Sequence, residues 1–300
     1  MPFILKKYNA VIGKKIQIFL LQELGLTPSF SQRMMSRHRV FDAQKIAYNN
    51  SELVRDDHIY IAEFEGHTRG LQPLLTFKEF ALFDKPSHLM IHPNSKNTKY
   101  SLLDEIRFHF GEKANQAHRI DAETSGLLLL GLEEKAVKAL AEMFEQKAYK
   151  KSYLALVEGE LKEEIKIDKS ITKEGKKIGV RMKVCEEEEG KSSLTYIKPI
   201  KYSKEKNITL VEAIPHTGRQ HQIRVHLYSI GYRIVGDPIY GVNDDIVEEY
   251  LSKSLDKDLR IKETGASRLW LHANYLEFTY KKVLYKIFSK NKDIYKKFEA

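Results

Sequence analysis

The sequence predicts an α+β protein of two units, a small one over residues 1–66 and a larger one over 67–300. Three observations predict it. Apolar residues recur at helical spacing in several segments, and short apolar runs of strand length lie between those segments. A stretch bearing glycine and proline, HTRGLQPLLT (67–76), reads as the linker between the units.

In the small unit, KKIQIFLLQELG places Ile16, Phe19, Leu20 and Leu24 on one helical stripe, with Gly25 as a stop. Pro28 and Ser29 precede a second helical stretch, SQRMMSRHRV, in which Arg33 and Arg37 lie four apart on one face and Arg39 follows at the exit. DDHIYIAEFE then alternates Ile59, Ile61 and Phe64 loosely, as a short strand does. The arginine face suits planar, multiply donating contacts to phosphate, or simply faces water.

In the larger unit, EEKAVKALAEMFEQKA sets Val137, Leu140, Ala141 and Phe144 at helical spacing between two strand-like runs, SGLLLLGL and KSYLALVEGEL. NITLVEAIP is a further strand. A turn follows, then a helix, RQHQIRVHLYSIG, that buries Ile223, Leu227 and Ile230 on one side. RLWLHANYLEF closes with another strand, and CEEEEGKSS is a charged turn whose glutamates face water.

Composition narrows the function. Net charge is +9, which favours polyanionic partners because neutralising phosphates releases condensed counterions. The last twenty residues hold seven lysines against Asp293 and Glu299, either a solvated surface or an RNA contact. No apolar run approaches the roughly 20 residues of a membrane helix, and the first residues lack the pattern of a secretory signal. The single cysteine, Cys185, excludes an internal disulfide framework and leaves too few thiols for a thiolate zinc site. A cytoplasmic protein is expected.

The stretch AHRIDAETSGLLLLGL (117–132) sets His118, Arg119 and Asp121 against a leucine run hydrophobic enough to be core. A carboxylate there is costly unless a cation or hydrogen bonds stabilise it. Asp121 either turns the chain with Arg119 paired to it at the surface, or belongs to a site. HTGRQHQIRVHL (216–227) offers partners: Arg219 opens the expected helix, whose N-terminus favours an anion. Arg224 follows buried Ile223, so it can flank the core and hold a partly buried carboxylate. Tyr153, on the strand after the next helix, is either core or a flat face on which a base stacks.

HRIDAETSGLLLLGL resembles the H-R-[LI]-D-x-x-T-S-G-L-L-L-L signature of RluA-type pseudouridine synthases, and five further landmarks follow the same family's order. They are FDKPSHLMIHP (83–93), KKSYLALVEG, HTGRQHQIRVHL, GDPIYG (236–241) and RLWLHA (268–273), and the six span about 190 residues. His88 stands where that family has glycine after Lys85-Pro86, a change of specificity or packing. The first unit is similar, more distantly, to the S-four-type RNA-binding domain of a ribosomal small-subunit protein. It lacks that domain's glycine before the valine and its V-N-G turn.

The resemblance implies a mixed, largely antiparallel sheet flanked by helices and loops, preceded by a small α+β RNA-binding domain. It implies isomerisation of uridine to pseudouridine in structured RNA, in ribosomal RNA or alternatively transfer RNA, with the target base flipped out. It makes Asp121 the catalytic carboxylate, whether it attacks base or sugar or promotes elimination to a glycal. Arg224 would be its ion-pair partner, and Tyr153 the base's stacking platform and a candidate general base. Arg119 would fill the space the base leaves, and His118, Arg219, Arg33, Arg37 and Arg39 would contact RNA. No cofactor and no metal are implied, and a monomer is expected.

Other chemistries fit less well. His216, His221 and His226 are spaced by five, which turns them about 140° per step on a helix and spoils a shared zinc face. HRID lacks the glycine-rich loop and D-F-G of a kinase. Thr124-Ser125-Gly126 lacks the leading glycine of an esterase elbow. An RNA-binding or ribosome-assembly factor without chemistry would need only basic residues, not Asp121, Tyr153 and Arg224 together.

Overall fold

A computed structural model of the chain describes residues 3–93, 98–175 and 178–300. Contacts divide the chain into two compact units, residues 1–69 with 93–109, and 70–92 with 110–300. This division crosses the chain at 69/70, 92/93 and 109/110, where linker composition predicts one boundary at 66/67. Linker composition marks where the chain leaves a unit but carries no sign of a distant segment returning to it.

The first unit holds β1 (Phe3–Asn9), α1 (Ile16–Gln22), α2 (Pro28–Ser36), β2 (Val40–Phe41), β3 (His58–Phe64) and α3 (Leu102–Phe110). Its antiparallel sheet runs β1-β3-β2. The stripe of α1 is buried as expected through Ile16, Phe19 and Leu20, with Leu24 packed at the margin. α2 begins earlier than expected, because Thr27 caps it and Pro28 fits the first turn, and it ends before Arg37. The returning helix α3 buries Leu102, Leu103 and Ile106, and the backbone of Gly66 runs so close to Asp104 that no Cβ would fit.

The second unit is built on β4 (Leu75–Thr76), β5 (Phe80–Lys85), β6 (Asn115–Gln116), β7 (Ser125–Gly131), α4 (Glu134–Glu145) and β8 (Tyr149–Glu158). There follow β9 (Ile165–Asp168), β10 (Ser170–Lys173), β11 (Met182–Cys185), β12 (Leu194–Ser203), β13 (Ile208–Pro215) and α5 (Gln222–Ser229). The chain ends with α6 (Asp244–Ser252), α7 (Lys257–Thr264), β14 (Leu271–Tyr280), β15 (Val283–Phe288) and α8 (Asp293–Glu299). One large sheet runs β4-β5-β7-β14-β8-β13-β12-β9, with β15 on β14 and β6 on β7. Only β7 and β14 pair in parallel among the described strands, so the sheet is mixed and largely antiparallel. Gly126 is required at that junction: its φ is +108°, and a Cβ would lie 2.3 Å from the Ala273 carbonyl oxygen.

The leucine run forms β7, buried along its whole length, because both faces of the sheet are covered there. Alternation along β8 assigns its residues to two layers. Tyr153, Ala155 and Val157 enter a core with Ile223 and Leu227 of α5, while Leu154 and Leu156 enter another with Ile294 and Phe298 of α8. Tyr153 therefore faces the α5 side. Among the described residues no helix is long and apolar enough to cross a membrane.

Candidate functional site

Asp121 sits in the turn that feeds β7, where its carbonyl accepts from the Thr124 N–H at 3.2 Å. Its side chain is 31% exposed and shares a cleft with Arg119, Lys151, Tyr153, Arg219, His221 and Arg224, around about 470 Å³ of empty space. The second unit thus brings together the three residues expected to act, from β8, α5 and the turn before β7.

Arg224 is buried, not flanking the core as its place beside Ile223 predicts, because α5 lies against β11, β12 and β13 and has no solvent face from Gln222 to Leu227. A second carboxylate makes this burial tolerable. Arg224 donates from Nε and Nη2 to Asp237 Oδ2 and Oδ1 at 2.8 and 2.7 Å, and from Nη1 to Asp121 Oδ2 at 3.3 Å. Burial alone would lower the guanidinium pKa, but the Asp237 charge and hydrogen bonds, with Asp121 behind them, override it and raise it. Bidentate pairing fixes the plane of the guanidinium, leaving one edge for Asp121.

Asp237 and Tyr240, both in GDPIYG, contact Arg224 and had no role assigned from sequence. Gly236 takes φ +81°, and a Cβ there would meet the Arg268 carbonyl oxygen at 1.8 Å, so only glycine admits this close approach. Asp237 Oδ1 also accepts from the Ile239 and Tyr240 N–H groups at 2.9 and 3.1 Å. The Tyr240 ring lies 5.2 Å from the Arg224 guanidinium carbon, and its hydroxyl is 3.1 Å from His221 Nδ1. The sequence signal was the acidic residue directly after a glycine in a landmark shared with the family.

His221, also unassigned from sequence, places Nε2 3.9 Å from Asp121 Oδ2. Burial and then the Arg224 charge lower its pKa to about 4, so it is neutral at pH 7. It occupies the N-cap of α5 in the left-handed conformation (φ 55°). Arg219 consequently lies before the helix, not at its start as expected, and its Nε donates to the Ser192 carbonyl at 3.1 Å while it still lines the cleft. Burial and the neighbouring Asp121 push the Tyr153 phenol well above its usual range. The neutral ring suits stacking, whereas the expected general-base role would need the disfavoured phenolate.

Arg119 is exposed at the cleft edge. His118 is not among the cleft residues: its ring stacks on Phe144 at 4.3 Å between centroids, and its Nε2 accepts from the Leu129 N–H at 3.1 Å. Burial lowers its pKa to about 3, which leaves the ring neutral at pH 7. In the first unit Arg33 and Arg37 are exposed, whereas Arg39 is partly buried with its guanidinium carbon 4.2 Å from the Phe3 ring centroid.

Two further groups support the Asp121 turn. Lys85 donates to the carbonyls of Pro86, Leu89 and Ala122 at 2.9, 2.9 and 3.0 Å. His88 takes φ 65°, a left-handed conformation that favours glycine, and its Nδ1 is 2.9 Å from Glu123 Oε1. Glu123 is also held by Arg260 Nη2 at 2.7 Å and the Tyr250 hydroxyl at 3.1 Å. Burial would raise the Glu123 pKa, but His88 and Arg260 override it and bring it down to about 2.

A folded-state pKa below the unfolded value of 4.5 means that Glu123 stabilises fully above about pH 4.5. That contribution is lost as pH falls through about 2. Glu123→Gln leaves buried Arg260 without its counter-charge. It is expected to cost about 3 kcal/mol at pH 7, with a smaller difference from wild type at pH 3, by denaturant unfolding at both pH values. Equal stabilities at pH 7 would contradict this pairing. Among the described residues no group of three His, Cys, Asp or Glu side chains is placed to hold a metal ion.

Comparison with known proteins agrees with this geometry. The pattern of the RNA pseudouridylate synthase family matches residues 79–229. A protein named as an uncharacterized RNA pseudouridine synthase of Helicobacter pylori (strain ATCC 700392 / 26695) is 37% identical over 292 residues, covering 96% of this chain and 94% of its own. The ribosomal large subunit pseudouridine synthase C of Escherichia coli K12 is 30% identical over 292 residues, covering 89% and 86%. The solved structure of human RNA pseudouridylate synthase domain containing 1 shares the fold, with TM-score 0.61 at 23% identity over 77% of this chain and 87% of that one. With Asp121, Tyr153 and Arg224 gathered at one cleft, the chain belongs to the RNA pseudouridylate synthase family, in its RluA-type branch, and is an RNA pseudouridine synthase, an isomerase.

Proposed function

We propose that the chain isomerises uridine in large-subunit ribosomal RNA, with Asp121 as the catalytic carboxylate and the target nucleotide flipped into the cleft. The observation that carries this reading is the Asp121 carboxylate, open to the cleft and 3.3 Å from an arginine that is itself locked on Asp237. The reaction breaks the N1–C1′ bond and forms a C5–C1′ bond. C5 loses its proton and N1 gains one, so atoms balance with no co-reactant.

Asp121 meets the sugar or the base of the extruded nucleotide, and the neutral Tyr153 ring supports the base. Arg119 occupies the gap left in the RNA, an extrusion that costs a few kcal/mol. The exposed Arg33 and Arg37 of the first unit hold phosphates of the RNA.

The target is favoured by the Escherichia coli relative, whose name places its action on the large ribosomal subunit. Pseudouridine mapping of total RNA from cells with and without the protein tests it. The expected result is loss of one or more pseudouridines from large-subunit ribosomal RNA. Loss confined to transfer RNA would overturn the ribosomal target, and no loss from either RNA would overturn the reading of function.

A further inference from the structure

The charges at the floor of the cleft do not suit an RNA substrate by themselves. Arg224 is shared by two carboxylates, Asp121 and the buried Asp237, and His221 is neutral, so these four side chains together carry one net negative charge. A polyanion entering over it needs a cation whose charge is not already spent.

Lys151 is such a cation. Tyr149, Lys151 and Tyr153 alternate along β8 and so share a face. The Lys151 ammonium lies 5.4 Å from the Tyr149 ring centroid and 5.6 Å from that of Tyr153, and the side chain lines the cleft with Asp121 and Arg119. Among the described residues it has no carboxylate within 4 Å and no hydrogen bond. Two aromatic faces hold the ammonium in place without neutralising it. Burial lowers its pKa to about 8, which leaves it protonated at neutral pH but short of a counter-anion.

We propose that Lys151 is a binding seat for a phosphodiester of the RNA strand beside the flipped uridine. A phosphodiester carries a permanent full charge, whereas a uracil edge offers neutral carbonyls that offset a desolvated ammonium less well. The assignment rests on the RNA synthase reading of the cleft, but not on Asp121 being the catalytic group.

The test is RNA binding by the full chain over a series of salt concentrations, for wild type, Lys151→Met, Lys151→Gln and Lys151→Arg, beside tritium release on saturating RNA. Met and Gln keep the length of the side chain and remove its charge, and thermal unfolding of both reports whether the fold is kept. Either folded variant should bind about tenfold more weakly and lower the slope of log affinity against log salt by about 0.7–1. Lys151→Arg should restore both affinity and slope. An unchanged slope in a folded neutral variant would overturn the phosphodiester seat. So would a loss of maximal turnover at unchanged affinity, which would place the ammonium on the uracil. The slope is read from binding alone, so an active Asp121→Asn would refute the catalytic assignment without touching this one.

Discussion

Arg224→Met is expected to lose both stability and turnover, because one guanidinium serves two carboxylates. Its Nε and Nη2 complete a buried bidentate pair with Asp237, which is 1% exposed, and its Nη1 faces Asp121. Methionine fills the aliphatic space but leaves Asp237 buried with, among the described residues, the Ile239 and Tyr240 N–H groups as its remaining donors. Removing one partner of a buried pair costs about 3–5 kcal/mol, since the remaining charge is uncompensated.

Turnover falls for a separate reason: Asp121 loses the group that orients it toward the cleft. The double variant Arg224→Met/Asp237→Asn separates the two effects. Its denaturant unfolding should recover much of the lost stability while its tritium release stays low. A single variant within about 1 kcal/mol of wild type, or one with undiminished release, would refute the shared role of Arg224.

How much of this was legible in the sequence depends on whether the signal was local. The stripe Ile16, Phe19, Leu20 and the leucine run of β7 were visible because burial imposes a period that neighbouring residues display. The Asp121, Tyr153 and Arg224 set was visible because each sits in a landmark of fixed order. Strands such as β9, β12 and β15 mix lysine with apolar residues at partly exposed positions, so their alternation is blurred. The return of 93–109 to the first unit is a long-range fact that no local window carries.

Burial of Arg224 was hidden for the same reason. It depends on Asp237, thirteen residues further on, and on a helix enclosed on every side. The stack of His118 on Phe144 is likewise a contact between distant positions that no local window carries. In contrast, the left-handed backbone at His88 was indirectly legible, since the family segment that FDKPSHLMIHP resembles has glycine at this position.

The central claim is that the Asp121 carboxylate performs the isomerisation, and tritium release from RNA labelled at uridine C5 tests it most directly. Forming the C5–C1′ bond expels the C5 hydrogen, so release counts turnovers whichever way the carboxylate acts. Asp121→Asn keeps the size of the side chain and its place in the turn but removes the negative charge. It should bind RNA within a few-fold of wild type while releasing tritium at least ~10⁴-fold more slowly, as expected for loss of a catalytic group. Release by Asp121→Asn within tenfold of the wild-type rate would contradict the claim.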